Sequence, residues 1–159
     1  MEFLAECSDY SKLTEADRAM TYRFNKSNIP SCDDKLSGWY RFSGEAGNKM
    51  PESCVPIEHC NTLGPGWLNG SHPAVADGPV RRKVCFHSSP GKCCRSSTYI
   101  IVRNCGGFYV YKLHRPPSCD LRYCGNRVKP TSGGNSFFLK NNFRENNLGE
   151  KRSPLFIWK

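Results

Sequence analysis

The sequence has no long hydrophobic run. No part of its 159 residues approaches the ~18–20 apolar residues that a helix needs to cross a bilayer, and the mean hydropathy is −0.60. We therefore expect a chain that does not span a membrane. The opening segment, Met1–Cys7, has neither a basic start nor an apolar core, so it is not a signal peptide.

The motifs of metal, cofactor and enzyme sites are also missing. Structural zinc sites usually place paired ligands about two to four residues apart, but here the close spacings are Cys54-x5-Cys60, the adjacent pair Cys93-Cys94, and Cys119-x4-Cys124. There is no CxxC and no GxSxG, and the four histidines are scattered without a carboxylate pattern typical of a triad. We expect no metal, no cofactor and no enzymatic activity.

Two further patterns are weak. Gly64-x-Gly66-x3-Gly70 is misspaced for a dinucleotide fingerprint and contains Pro65 and Trp67, so we interpret it as a loop. No basic helix with interleaved aromatics is present, and we expect no nucleic acid partner.

Cysteine is abundant. Ten cysteines, all between Cys7 and Cys124, form an even set in a domain rich in turn residues, which is typical of an oxidising compartment. We therefore expect five disulfides in a secreted or extracellular protein whose leader is missing from this chain. Ten cysteines can pair in several hundred ways, and composition does not choose among them. Adjacent Cys93 and Cys94 are expected to reach different partners, because a ring between neighbours is strained.

Short strands dominate the local patterns. The aromatic run 39–42 and the weakly alternating run 80–86 predict strands, and Thr14-Glu15-Ala16-Asp17 resembles a helix start, predicting a short helix near 14–22. Gly106-Gly107 separates two β-branched and aromatic runs, predicting a β-hairpin over 98–113. The expected fold is a small, disulfide-rich, β-dominated (α+β) domain.

The charge is uneven along the chain. The net charge is +9, and residues 125–159 contribute 7 basic and 2 acidic groups with no cysteine. This stretch is rich in Asn and Gly, so we predict a disordered basic tail after a cysteine-rich domain at 7–124, with 1–6 as a leader remnant.

Surface motifs suggest two kinds of contact. The cluster Arg81-Arg82-Lys83 could bind a heparan-like polyanion, or it could be a solvated loop or a strand edge protected by charge. The sequons Asn25-Lys26-Ser27 and Asn69-Gly70-Ser71 are acceptors for N-linked glycan in a secreted protein. Asn69 is the stronger candidate, because Gly and Pro flank it.

The cysteine, tryptophan and proline spacing over 7–124 resembles one family, the cysteine-rich domain (eight or ten cysteines) of uromodulin, of the pancreatic zymogen-granule glycoprotein and of the liver-specific zona-pellucida-domain protein. The segments that carry the resemblance are Cys7–Tyr10, Leu13 with Arg18, Cys32-Asp33, Gly38–Phe42, Met50–Pro56, His59–Thr62, Pro65–Pro73, Val84–His87, Cys93-Cys94, Val102–Cys105, Phe108–Tyr111, and Pro116-Pro117-x-Cys119 through Tyr123-Cys124.

The resemblance implies a disulfide pairing and a role. The implied pairs are Cys7–Cys105, Cys32–Cys119, Cys54–Cys93, Cys60–Cys124 and Cys85–Cys94. It also implies a non-enzymatic extracellular module beside EGF-like or zona pellucida modules, with glycans acting as decoys for mannose-binding adhesins. Asn69 keeps its family sequon, whereas Lys112-Leu113-His114 replaces the sequon that those relatives carry before the double proline.

The function predicted from these patterns is adhesion or recognition, through a glycan shown to lectins or adhesins. The alternative is a structural spacer in a matrix or mucus protein without a specific ligand.

Overall fold

A seven-stranded β-sheet organises the protein, for which the computed structural model describes residues 4–128. Its spatial order is β1-β2-β6-β5-β4-β3-β7. The β1/β2 and β3/β7 pairs are parallel, and the other neighbours are antiparallel. The strands are β1 Ser11–Leu13, β2 Ser37–Phe42, β3 Gly64–Asn69, β4 Val80–Phe86, β5 Ser96–Asn104, β6 Tyr109–His114 and β7 Leu121–Tyr123.

The predicted hairpin over 98–113 is confirmed. Strands β5 and β6 pair antiparallel up to Asn104 and Tyr109, and the Cys105 N–H donates to the Phe108 carbonyl at 2.8 Å. Gly106 has φ +97°, a conformation that costs glycine no Cβ clash and that a two-residue primed turn requires. The glycine pair therefore closes the hairpin as its position in the sequence indicated.

The predicted strands at 39–42 and 80–86 are confirmed as β2 and β4, but the loop predicted around Gly64 and Gly66 is wrong. This segment is β3, inside the sheet between β4 and β7. A Cβ on Gly66 would lie 2.7 Å from the Phe86 ring and 2.9 Å from the Arg122 carbonyl. Glycine serves here for close packing rather than for a turn, and the local sequence does not distinguish the two uses.

The helix predicted near 14–22 is wrong. Only a single 3₁₀ turn forms, Ala16–Arg18, with no side-chain cap at its start. Ala19 is already extended at ψ 137°, and the Met20 N–H donates to the Gly125 carbonyl at 2.9 Å while the Gly125 N–H donates to the Arg18 carbonyl. Pairing with Gly125, just after β7, takes the backbone groups that a helix would have used, so tertiary contacts outweigh the local propensity. Short 3₁₀ turns are the helical elements of the described residues: Ala5–Cys7, Ala16–Arg18, Gly44–Ala46 and Val75–Asp77.

One face of the sheet builds the main core. Alternate residues of β4, β5 and β6 point to it, because successive side chains on a strand face opposite sides. Segment 43–52 contributes to the cover of this face with Ala46 and Met50. Val55, Cys60 and Cys124 form a second, smaller buried cluster that is separate from the main core, and Trp67 packs against it. The buried residues of the main core are Leu13, Phe42, Ala46, Met50, Leu68, Val84, Phe86, Ile100, Val102, Tyr111, Leu113, Leu121 and Tyr123.

Contacts at both ends of the described chain extend beyond Cys7 and Cys124. Glu6 pairs with Arg103 at 2.6 Å, and the Asn126 and Arg127 amides donate to the Lys49 and Ala46 carbonyls. The predicted disordered tail at 125–159 lies mostly outside the described residues, which end at 128. Among residues 4–128, no helix is long and apolar enough to cross a bilayer.

Candidate interaction surface

All ten cysteines are paired, which confirms the expected five disulfides. Their Cα–Cα distances run from 4.6 to 5.8 Å, within the usual span for a disulfide. The pairing is the one that the family resemblance implies: Cys7–Cys105, Cys32–Cys119, Cys54–Cys93, Cys60–Cys124 and Cys85–Cys94.

The adjacent cysteines hold the loop between β4 and β5 from two sides. Cys93 bonds to Cys54 and Cys94 bonds to Cys85. His87 lies beside Cys54, and its Nδ1 is 2.8 Å from the Val55 carbonyl. The two groups of residues 4–128 that bring three potential metal ligands together each contain both sulfurs of a disulfide. A disulfide sulfur is not a thiolate, which is the form of cysteine that binds metal. In the oxidised protein these cysteines therefore act as covalent crosslinks.

Asn69 is the last residue of β3 and its side chain is exposed. Its Nδ2, the atom that would carry a glycan, is 3.5 Å from Sγ of the buried Cys85. Gly70 follows with φ +135°, which turns the chain sharply away from the strand. The Arg82 Nε–H then donates to the Ser71 carbonyl at 2.9 Å. The sequon is therefore exposed, but its backbone is held.

A buried histidine holds the loop after the sequon. The His72 side chain is 2% exposed; its Nδ1 contacts the Glu52 carboxylate, and its Nε2 is 2.7 Å from the Tyr111 hydroxyl. That hydroxyl oxygen also accepts the Met50 N–H at 3.0 Å. Burial, which outweighs the attraction of Glu52, lowers the pKa of His72. A neutral ring satisfies all these groups, with Nδ1–H donating to Glu52 and Nε2 accepting from Tyr111.

The second sequon has simpler surroundings. Asn25 is exposed in a turn, and its Oδ1 accepts the Ser27 N–H at 3.0 Å. This local hydrogen bond is an Asx turn. Both sequons are therefore exposed, and the Asn69 sequon is tied to more of the domain.

The sheet splits the cluster Arg81-Arg82-Lys83 between its two faces. Arg82 points to the side of the Ser71 loop, whereas Arg81 and Lys83 point to the outer face. Strand β4 lies between β5 and β3, so the interpretations as a loop or as a protected strand edge are both wrong. These cations lie on a central strand, which has no free edge to protect.

Neighbouring strands add to this outer face. Register pairs Arg81 with Ile101 and Ile101 with Lys112, so these three side chains form a row across β4, β5 and β6. A second row joins Asn69, Lys83 and Tyr99 across β3, β4 and β5. The Arg81 guanidinium lies 3.8 Å from the centre of the Tyr99 ring. The outer face is thus basic and aromatic, with the Asn69 sequon at one side.

The sequence is recognisably that of a known domain. The model of a family described as a uromodulin-like domain matches residues 40–125. The chain belongs to this family. Over 119 residues, 74% of the chain, it is 50% identical to Uromodulin of Mus musculus and of Rattus norvegicus, and 44% identical to Pancreatic secretory granule membrane major glycoprotein GP2 of Homo sapiens. The match covers 18% of each uromodulin and 21% of the human glycoprotein, so the chain spans about a fifth of the length of these curated relatives.

The histidines of this uromodulin-like domain have structural partners. His59 and His87 approach the Met20 and Val55 carbonyls at 2.7 and 2.8 Å, and His114 Nε2 lies 3.0 Å from the Tyr99 carbonyl. His72 belongs to the network with Glu52 and Tyr111 described above. Their contacts are those of residues that hold loops and strands together.

The outer face was not predicted from the sequence, in which Lys112-Leu113-His114 stands only as a replaced sequon and Tyr99 only as part of the predicted hairpin. The signal that was available is the alternation of the hairpin strands, which places Tyr99 and Ile101 on one face with Lys112 and His114. That Arg81 and Lys83 share this face depends on the pairing of β4 with β5, and this pairing is part of the tertiary structure.

Proposed function

We propose that this uromodulin-like domain is a non-enzymatic extracellular module that displays an N-linked glycan at Asn69 to lectins or bacterial adhesins. The observation that carries the proposal is the exposed Asn69 at the end of β3, with Gly70 turning the chain and Arg82 holding Ser71. A sugar there extends outward from a stiff base, and the lectin supplies the binding pocket.

The full-length protein would place this domain beside other modules. The family includes uromodulin, of which the chain covers 18%, and EGF-like and zona pellucida modules are the neighbours we propose. A secretory route supplies both the oxidising compartment for five disulfides and the enzymes that glycosylate sequons.

The test is glycan occupancy and lectin binding after expression through a secretory pathway. Peptide mass mapping should find Asn69 occupied, and Asn69→Gln should abolish binding to a mannose-specific lectin. The fold should survive, because a surface substitution typically changes stability by within about 0.5 kcal/mol. Asn25→Gln is the matched control, and the double replacement removes both sequons. Lectin binding that persists in the double variant would eliminate glycan display.

A structural spacer is the second candidate. The feature that favours it is the long reach of the disulfides, which join residues as far apart as 98 positions and restrict unfolding. An unoccupied Asn69 in the secreted protein would favour this role over glycan display.

A further inference from the structure

We propose that the outer face of the sheet binds a sulfated acidic polysaccharide through Arg81, Lys83 and Lys112. We call these three cations, together with Tyr99 and Ile101 between them, the basic face. This binding uses protein side chains and needs no glycan on Asn69.

The cations of the basic face have no acidic partner. Within residues 4–128, the ion pairs of the structure involve none of Arg81, Lys83 and Lys112. Another cation on the same side of the sheet differs, since Arg103 pairs with Glu6 at 2.6 Å. The three unneutralised charges therefore form one positive patch whose potential is not cancelled locally.

The sheet register sets the spacing of these charges. Arg81 and Lys112 lie in one row with Ile101 between them, which places their backbones about 10 Å apart at ~4.8 Å per strand. Lys83 lies two residues along β4 from Arg81, about 7 Å away. Charges at such separations on a rigid strand surface suit a ligand that carries anionic groups at intervals along its length.

The surface between the charges is shallow and partly apolar. Tyr99 is 49% exposed, and the depression formed with Arg81, Ile101 and Lys112 has a volume of about 230 Å³. Stacking over Tyr99 orients the Arg81 guanidinium, and about half of the Tyr99 surface stays exposed. A sugar ring offers a flat face of C–H groups for such an aromatic surface, and its sulfates can reach the flanking cations.

The charge of the face also selects among occupants. The chain's own C-terminal stretch, 125–159, carries 7 basic and 2 acidic residues, so the basic face would repel it. A folded acidic protein would favour bidentate arginine pairs in a shaped pocket. Here two of the three cations are lysines, which act as flexible point charges and tolerate the varied spacing of sulfates along a polysaccharide.

The binding test uses a size-defined heparin oligosaccharide and the whole disulfide-bonded chain. Isothermal titration at low ionic strength should show binding that weakens with added salt, and Arg81→Gln with Lys112→Gln should weaken it by about tenfold or more, since each lost contact also removes counterion release. The matched control is Arg23→Gln with Lys26→Gln, which removes the same charges from other exposed positions and should change the affinity by less than about twofold. Lys83→Gln provides a milder variant should the double variant fold poorly.

Three results would overturn the proposal. Equal losses of heparin affinity in both double variants would show a response to net charge alone. If neither Lys83→Gln nor the Arg81/Lys112 double variant changed the affinity, the site would lie elsewhere. An acidic peptide that binds as tightly as heparin, with the same dependence on these residues, would assign the face to a protein partner. Heparin binding should persist in Asn69→Gln, whose lectin binding is lost, so failure of glycan display and failure of this proposal are separate outcomes.

Discussion

Arg18 and Asp33 form a buried bidentate ion pair. The two guanidinium nitrogens of Arg18 donate to the two carboxylate oxygens of Asp33 at 2.8 and 2.9 Å, and both side chains are less than 5% exposed. Asp33 also accepts the Tyr123 N–H at 2.9 Å, and Arg18 donates to the Tyr123 carbonyl at 3.0 Å. The pair thereby connects the 3₁₀ turn Ala16–Arg18, the loop before β2, and β7.

Breaking this pair should be costly. Asp33→Ala leaves the Arg18 guanidinium buried without its main partner, and we expect a loss of about 3–5 kcal/mol in the free energy of unfolding. Urea denaturation of the oxidised protein measures it. Glu58→Ala is the matched control, because it removes an exposed pair with Lys26 and should cost about 1 kcal/mol or less. Equal effects of the two substitutions would contradict the role assigned to Asp33.

Acid should destabilise the domain through His72. Burial holds the pKa of His72 below its ordinary 6.5, and hydrogen bonding to His72 holds the pKa of Glu52 below 4.5. As pH falls below about 6.5, unfolded chains take up a proton on this histidine that the folded protein resists. The contribution of His72 to the free energy of unfolding is therefore full above that pH, and it is lost as pH falls towards the lowered pKa of the ring in the folded protein.

Thermal unfolding from about pH 7.5 to about pH 4 tests this sign. We expect Tm to decline as pH falls, and His72→Gln to flatten the part of the decline near pH 6, since glutamine does not titrate. The other three histidines are present in both proteins, so the difference between the two curves reports His72. A Tm for the parent that rises relative to the variant as pH falls through this range would reverse the assignment.

Gly125 should not accept a side chain. A Cβ there would lie 1.9 Å from the Ala46 carbonyl oxygen and 2.8 Å from the Ala46 carbonyl carbon, so backbone would have to move. We expect Gly125→Ala to destabilise the fold by about 1–3 kcal/mol. Gly107→Ala, which meets nothing within 4 Å, should change stability by within about 0.5 kcal/mol. Chemical denaturation of both variants decides, and a tolerated Gly125→Ala would show that the segment after Cys124 is loosely held.

The disulfides should differ in their contribution to stability. Removing Cys7–Cys105, with a sequence separation of 98, should cost about 4–5 kcal/mol, whereas removing Cys85–Cys94, with a separation of 9, should cost about 2–3 kcal/mol. Paired Cys→Ala variants in urea give the comparison. Intact mass before and after reduction should first show a gain of ten hydrogens in the parent chain, one for each of its ten cysteines. A smaller gain would mean that some cysteines are not in disulfides.

The sequence by itself determined the cysteine framework and the local strands. An even set of ten cysteines without metal spacing indicated five disulfides. The pairing came from the family resemblance and not from spacing, because spacing leaves the combinations open. Gly106-Gly107 located the hairpin, since a two-residue primed turn depends only on the residues within it.

Only the tertiary structure decided what those elements do together. Residues 14–22 have a helix start, yet the backbone hydrogen bonds that join Arg18 and Met20 to Gly125 draw the chain out of the helix. The local pattern of Gly64–Asn69 predicts a loop, yet Phe86 and Arg122 pack so closely on Gly66 that glycine is required inside a strand. The basic face joins Arg81 to Lys112 across three strands. Sheet register depends on packing and pairing between residues far apart in sequence, which is why the local sequence showed only a run of three cations.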